Sequence, residues 1–164
     1  MAFDEKQAEE KKEIKTFKIP ETRFPKQNEH FGYITCDRIS LSAPLLYGDT
    51  LQNADYGAGL NTMSSFPGFG HDILISSHNY GYFMPLQYIK EGDVITLTTN
   101  FGTFEYQVTG TLVAKESDYT PYQMQREYER LILYTCYPFQ MTIAPKTEKL
   151  YVYANKISGP VAEW

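Results

Sequence analysis

The chain has 164 residues, of which 42% are hydrophobic and 21% are charged, and its net charge is −5. This length and composition suit one folded globular domain with a single core, and they exclude a disordered chain. The acidic balance leaves no basic footprint, so general nucleic-acid binding is excluded, and two cysteines cannot form a disulfide framework. We expect no membrane span and no signal peptide, because no run approaches the roughly 18 apolar residues that cross a bilayer.

The first 26 residues differ from the rest of the chain. Lysines and glutamates alternate from Glu5 to Lys18, and Pro20 and Pro25 follow. Mixed charges of this kind suit a solvated helix or a weakly packed segment. We predict a charged linker or juxtamembrane segment over residues 1–26 and the folded domain over residues 27–164.

Short β patterns follow at regular intervals from His30 onward. They cover residues 31–40, 44–48, 72–77, 93–99, 103–114, 131–136 and 149–157. Residues 100–102, Asn-Phe-Gly, join two of these runs in a hairpin signature. Helical patterns are short, over 83–89 and over 121–129, where Pro121 suits the first turn. Seven or eight short strands with brief helices predict an all-β fold, a closed or nearly closed β-barrel.

The run "LILYTC" places Cys136 at the end of a predicted buried strand, just before Pro138. A free cysteine is most often a small core residue, so catalysis needs a second observation. His78 supplies one, because it also ends a β pattern. Two strand ends at one barrel rim would bring the imidazole and the thiol into one cleft, and a thiol needs a neighbouring base or cation to be a good nucleophile at neutral pH. Asn79, which follows the histidine, is interpreted as a turn residue.

Other roles for cysteine and histidine are less well supported by the residues. The ligand spacings of a zinc site are absent, and no calcium-loop spacing occurs, so neither a metal nor a cofactor is predicted. A redox pair of Cys36 and Cys136 is disfavoured, because Cys36 occupies an ordinary apolar position of its strand. His30 is expected to be exposed, and His71 to flank a strand.

Several segments in order resemble the sortase family, the cysteine transpeptidases of Gram-positive cell surfaces. "LYTC" (133–136) is similar to the family's TLxTC motif, and "ILISSHNYGYF" (73–83) resembles the strand that ends in the catalytic histidine. The resemblance extends over residues 30–158, and "LYTCYPF" is typical of class D-like sortases. Three further segments fall in sortase order: "PLLYGDT" (44–50), "GAGLNTMSSFPGFG" (57–70) and "YIKEGDVITL" (88–97).

The resemblance implies an eight-stranded β-barrel and acyl-transfer chemistry. Cys136 would attack the Thr–Gly carbonyl of an LPXTG-like sorting signal and form a thioester. His78 would protonate the leaving amine and then take a proton from the incoming amine. That amine belongs to a cell-wall precursor or to a pilin lysine. The resemblance also implies a place at the extracellular face of the cell membrane, with the full-length protein associated with the membrane.

The sequence departs from the family pattern at the third catalytic position. The family has an arginine on the strand after the cysteine, where "TEKLYVYA" (147–154) has Lys149. Arginine presents a planar fork of donors, whereas lysine is a compact point charge. Lys149 would act in its place at the oxyanion and substrate, or Lys146 would reach in from the 140–148 loop, or Lys149 is an ordinary solvated residue. Arg130 lies at the far end of the strand from Cys136.

Two other functions remain open at this point. If lysine cannot replace the arginine, the protein would be a sortase-like peptide-binding protein with weak or lost activity. An unrelated cysteine hydrolase on a β-barrel is the third interpretation.

Overall fold

The structure is a computed structural model that describes residues 14–123, 127–140 and 144–164. One short helix, α1, covers Leu51–Ala54, and single 3₁₀ turns cover Ile19–Glu21, Asp37–Ile39, Met84–Tyr88 and Thr120–Tyr122. The strands in the described part of the chain are β1 (Thr16–Lys18), β2 (His30–Cys36), β3 (Leu41–Tyr47), β4 (Ala58–Leu60), β5 (Ile73–Ser76), β6 (Val94–Thr99), β7 (Gly102–Lys115), β8 (Arg130–Tyr137), β9 (Glu148–Ser158) and β10 (Val161–Glu163).

Eight of these strands close into a barrel in the order β2-β3-β4-β5-β8-β9-β7-β6. The β3–β4 and β5–β8 pairs are parallel, and the other six pairs are antiparallel. Closure leaves no unpaired edge in the wall, which is how a sheet of short strands satisfies its backbone groups. The predicted all-β barrel is confirmed.

Alternation along the strands fills the inside of the barrel with apolar side chains. On β7, Phe104, Tyr106 and Val108 are buried, while Glu105 and Gln107 between them are not. This is the period of two that a strand with one buried face requires.

Cys36 is the last residue of β2, and its side chain belongs to the core. It is 2% exposed, and burial raises the pKa of its thiol. A buried, protonated thiol is a poor nucleophile. The prediction that Cys36 is a core residue is confirmed.

The segment before the barrel lies against it from residue 16 onward. Strand β1 pairs in parallel with β10, outside the barrel. Phe17 contacts Phe101 and Phe104, with ring centroids 5.2 Å and 6.3 Å away. Residues 1–13 lie outside the described residues, so a linker or juxtamembrane segment over 1–26 stays a prediction.

In the described part of the chain, each predicted helical stretch contains one 3₁₀ helix. One covers Met84–Tyr88, and the other covers Thr120–Tyr122 with Pro121 near its start; residues 124–126 lie outside the described part of the chain. None of the helices in the described ranges is long and apolar enough to cross a membrane.

Three tyrosines predict a loss of stability at alkaline pH: Tyr106 and Tyr151 are buried, and Tyr134 is half-buried. Burial raises the pKa of Tyr106, of Tyr134 and of Tyr151, the last to about 12. In the unfolded chain each phenol releases its proton at about pH 10, whereas in the barrel it stays protonated. The stability that each contributes is therefore complete below about pH 10 and is lost toward the folded pKa, by up to about 1.4 kcal/mol per pH unit.

Urea unfolding between about pH 8 and pH 11 measures this effect. We expect Tyr151→Phe to flatten the decline above about pH 10 by the share of one tyrosine. Tyr88→Phe is the matched control, because Tyr88 is 65% exposed. An equal decline in all three proteins would contradict the assignment of Tyr151.

Candidate active site

Three neighbouring strands bring the predicted site residues together at one end of the barrel wall. Parallel pairing of β5 with β8 places Ser76 opposite Tyr134, so His78 continues the same register beside Cys136. Antiparallel pairing of β8 with β9 places Cys136 opposite Lys149. The backbone ladder therefore aligns the histidine, the cysteine and the lysine across the wall.

The alternation on β8 decides which way the cysteine faces. Leu131 and Leu133 belong to the barrel core, and Thr135 on the same face is buried and donates to the Ser77 carbonyl at 2.8 Å. Cys136 takes the opposite, outer face with Tyr134 and is half-buried. Thr135 therefore has a packing role, and Cys136 differs from the buried Cys36 in being accessible.

One cavity contains all three side chains. His78, Cys136 and Lys149 line a space of about 140 Å³ on the outer face, together with Tyr134 and the start of α1. A space of this size at a strand end admits a backbone carbonyl of a peptide. The cysteine and histidine that the sequence pairs are thus brought together by the fold.

Lys149 is held over the floor of this cavity. Its Nζ lies 4.9 Å from the centroid of the Tyr134 ring, a cation–π contact. The Tyr134 hydroxyl donates to Asp49 Oδ2 at 2.8 Å, and Asn61 Nδ2 donates to the same oxygen at 2.9 Å. The ring is therefore fixed, and the half-buried lysine is held on the face that carries Cys136 rather than extended into solvent.

The other two basic residues weighed for this role have different partners. Lys146 Nζ donates to the carbonyls of Pro138 at 2.6 Å and Gln140 at 3.1 Å, so its ammonium group is occupied by the segment just after β8. Arg130 forms an ion pair with buried Asp72 at 2.8 Å, at the opposite end of β8. Neither lines the cavity that contains Cys136.

Two neighbours fix the imidazole of His78. Its Nε2 lies 3.1 Å from Asp55 Oδ1, and its ring stacks on Tyr80 with centroids 4.6 Å apart. Asp55 follows α1 directly, so this short helix positions the carboxylate. No sequence pattern pointed to Asp55, because its partner is 23 residues away and the helix is too short to show a period.

Asn79 has more than the turn role predicted from the sequence. It is 3% exposed, and its Nδ2 donates to the carbonyls of Cys136 and Pro138, both at 3.0 Å. The Asn79 side chain, next to His78 in the chain, therefore fixes the backbone at both Cys136 and Pro138. The position after the histidine was the only signal in the sequence, and it does not reveal the partners.

We expect Asn79→Ala to lower both stability and activity. Two carbonyls lose their donor, which costs about 1–3 kcal/mol. A displaced Cys136 should lower kcat/KM for acyl transfer by roughly 10- to 100-fold, since small misplacements at a reacting centre have effects of this size. Asn100→Ala is the matched control, because Asn100 makes one exposed hydrogen bond, to the Arg23 carbonyl. Lost stability with unchanged kcat/KM would show that Asn79 is structural only.

Comparison with known proteins defines the class. A family model described as the sortase domain matches residues 34–157. The chain therefore belongs to the sortase family, whose members are cysteine transpeptidases. Among the residues that the structure describes, no group of three or more His, Cys, Asp or Glu side chains is placed to hold a metal ion.

Individual relatives agree with this assignment. The chain is 28% identical to sortase D of Bacillus subtilis (strain 168) over 135 residues. This matched region covers 82% of this chain and 67% of that protein. Sortase C1 from Streptococcus agalactiae has a similar structure, with a TM-score of 0.73 and 25% identity over 83% of this chain and 71% of that one. Streptococcus pneumoniae sortase C is also similar, with a TM-score of 0.72 and 25% identity over 81% of this chain and 71% of that one. The sortase D relative is consistent with a class D-like protein.

Proposed function

We propose that this protein cleaves an LPXTG-like sorting signal between Thr and Gly and transfers the acyl group to an amine through a thioester on Cys136. The supporting observation is the alignment around one cavity of His78, two residues after β5, with Cys136 on β8 and Lys149 on β9. A nucleophile, a proton carrier and a cation are the groups that acyl transfer requires.

The first half of the reaction forms the thioester. The Cys136 thiolate attacks the carbonyl carbon of the threonine, and an S–C bond forms. His78 gives its proton to the glycine nitrogen as the C–N bond breaks, so the leaving group departs as a neutral amine. Lys149 stabilises the negative charge on the carbonyl oxygen during this step, from its position opposite Cys136 on β9.

The second half returns the enzyme to its starting state. The nitrogen of the acceptor amine attacks the thioester carbonyl and loses a proton to His78. The C–S bond breaks, and its electron pair returns to Cys136 as a thiolate. A thiolate and an imidazolium are restored, and the product is an amide.

The partners in this proposal are a surface-protein sorting signal and an amine from a cell-wall precursor or a pilin lysine. The structure of Streptococcus pneumoniae sortase C was described in terms of pilin substrate specificity, which supports a pilin as one acceptor. Both partners occur on the cell surface, so we place the protein at the extracellular face of the cell membrane. No nucleic acid takes part.

Mass spectrometry of the protein with a panel of sorting-signal peptides tests the proposal. We expect the protein to gain the mass of the peptide up to its threonine, and the adduct to be lost when an amine is added. A fluorogenic peptide of the LPXTG type should be cleaved at the same bond. If no peptide in the panel gives a thioester, the proposed function is wrong.

A further inference from the structure

We propose that a second cavity beside His78 binds the ammonium group of the acceptor amine, with the Asp55 carboxylate as its recognition group. This inference rests on the proposed function. The cavity measures about 420 Å³ and is lined by Asp55, His78, Tyr80 and Tyr82, among others. It is distinct from the smaller cavity that contains Cys136 and Lys149.

His78 forms a common wall of the two cavities. The smaller one holds the thiol and hence the thioester, and the larger one shares His78 with it but contains neither Cys136 nor Lys149. A general base must reach the proton that it removes, directly or through one water. An acceptor amine in the larger cavity would therefore lie next to His78, the base, before it attacks the thioester carbonyl.

The charges of the two cavities separate an amine acceptor from the acyl donor. Lys149 lines the donor cavity and repels a second cation. The described residues that line the larger cavity include Asp55 and neither lysine nor arginine. An ammonium group is therefore attracted to the cavity that contains Asp55 rather than to the one that contains Lys149.

The chemistry of the lining suits a primary ammonium group. The Asp55 side chain is 60% exposed although Oδ1 lies near His78 Nε2, so the carboxylate has room for a second cation. Tyr80 is 63% exposed, and its ring is stacked parallel to the imidazole. A carboxylate next to aromatic faces is a favourable setting for an alkylammonium ion.

Asp55 acts on binding in this scheme. The bound ammonium first loses one proton to solvent, and the neutral nitrogen then attacks the thioester and passes its second proton to His78. The carboxylate stabilises the charged form of the acceptor. Asp55 therefore raises the local concentration of the acceptor and does not assist the deprotonation of its ammonium group. The effect of Asp55 should therefore appear in KM for the amine.

The partition of the thioester between aminolysis and hydrolysis tests this site. Both reactions consume the same thioester with the same base, so their ratio isolates the binding of the acceptor. The acceptors are glycinamide, which has an α-amine, Nα-acetyl-lysinamide, which has a side-chain amine, and hydroxylamine, which is largely uncharged at neutral pH. The full chain is compared with Asp55→Asn and, as a matched control, with Glu91→Gln, since Glu91 is exposed and lines neither of the two cavities.

We expect Asp55→Asn to lower the ratio for the cationic amines by roughly two- to fivefold, the effect of one partly exposed charge pair. The ratio for hydroxylamine should stay the same, as should every ratio in Glu91→Gln. A fall with either cationic amine supports the site, and the amine with the higher ratio in the unmodified protein identifies the acceptor class.

Two results would overturn the inference. One is an equal fall for hydroxylamine, which would show that Asp55 acts only by orienting His78. The other is an unchanged ratio for both cationic amines. Failure of the unmodified protein to form a thioester is a different result, and it would refute the proposed function instead.

Discussion

Cys136→Ala is expected to abolish thioester formation and amine transfer, with a loss on the order of 10⁴-fold or more in kcat/KM. Alanine has no lone pair to attack the carbonyl, and no other described side chain in the cavity can replace the thiolate. Stability should change little, because the side chain is half-buried at a strand end on the outer face. Cleavage of a fluorogenic sorting-signal peptide and the mass of the protein after incubation measure both steps.

Cys36→Ala is the matched control for this variant. It removes the other thiol of the chain, which is buried in the core. We expect it to lose about 1 kcal/mol of stability, a common value for a core truncation of this size, and to keep the thioester. The assignment of Cys136 as the nucleophile would be contradicted if Cys136→Ala still formed a thioester. It would also be contradicted if Cys36→Ala lost the thioester with its fold intact.

Lys149→Ala is expected to lower kcat/KM by roughly 10²- to 10³-fold, the loss seen when one oxyanion donor is removed. The reason is its place opposite Cys136 on β9 and over the Tyr134 ring, where its charge acts on the carbonyl that the thiolate attacks. Lys149→Arg should hold or raise activity, because the guanidinium keeps the charge and adds a fork of donors. Steady-state kinetics with one peptide and one amine compare the three proteins.

Lys115→Ala is the control for the loss of a lysine, since Lys115 is exposed at the end of β7. It should leave kcat/KM unchanged. If Lys149→Arg collapses activity, Lys149 is not a stand-in for the family arginine. If the unmodified protein binds peptide without turnover and Lys149→Arg creates turnover, the peptide-binding interpretation is correct.

The barrel and its reactive pair were accessible from the sequence for one physical reason. Strands with one buried face must alternate, so the apolar pattern of β7 and the run before Cys136 showed both the strands and their ends. The pattern also predicted Cys36 as a core residue, although the strand bounds were less exact: β2 ends at Cys36, and β8 continues one residue past Cys136.

Other elements had no signal of this kind. Strand β4 lies in a stretch that looks like a turn because of its glycines. Those glycines allow close contact: a Cβ at Gly57 or Gly59 would lie 2.4 Å from the Pro44 carbonyl oxygen or 2.1 Å from that of Gly48. Strands β1 and β10 have three residues each, too few for a period.

The polar contacts of the site were equally hidden. Asn79 reaches the carbonyl of Cys136, 57 residues away in the chain, and Asp55 reaches His78 from a four-residue helix. A local pattern describes which face a residue takes, and it does not describe which distant group that residue meets. Such partners become visible only when the chain is folded.

The parallel pairing of β5 with β8 has a consequence for how this protein would tolerate redesign. The alignment of His78 with Cys136 depends on this register and on the segment that follows β5, where Ser77 accepts a hydrogen bond from Thr135 and Asn79 donates one to the Cys136 carbonyl. A redesign of this protein would therefore have to keep residues 77–79 together with the paired strands.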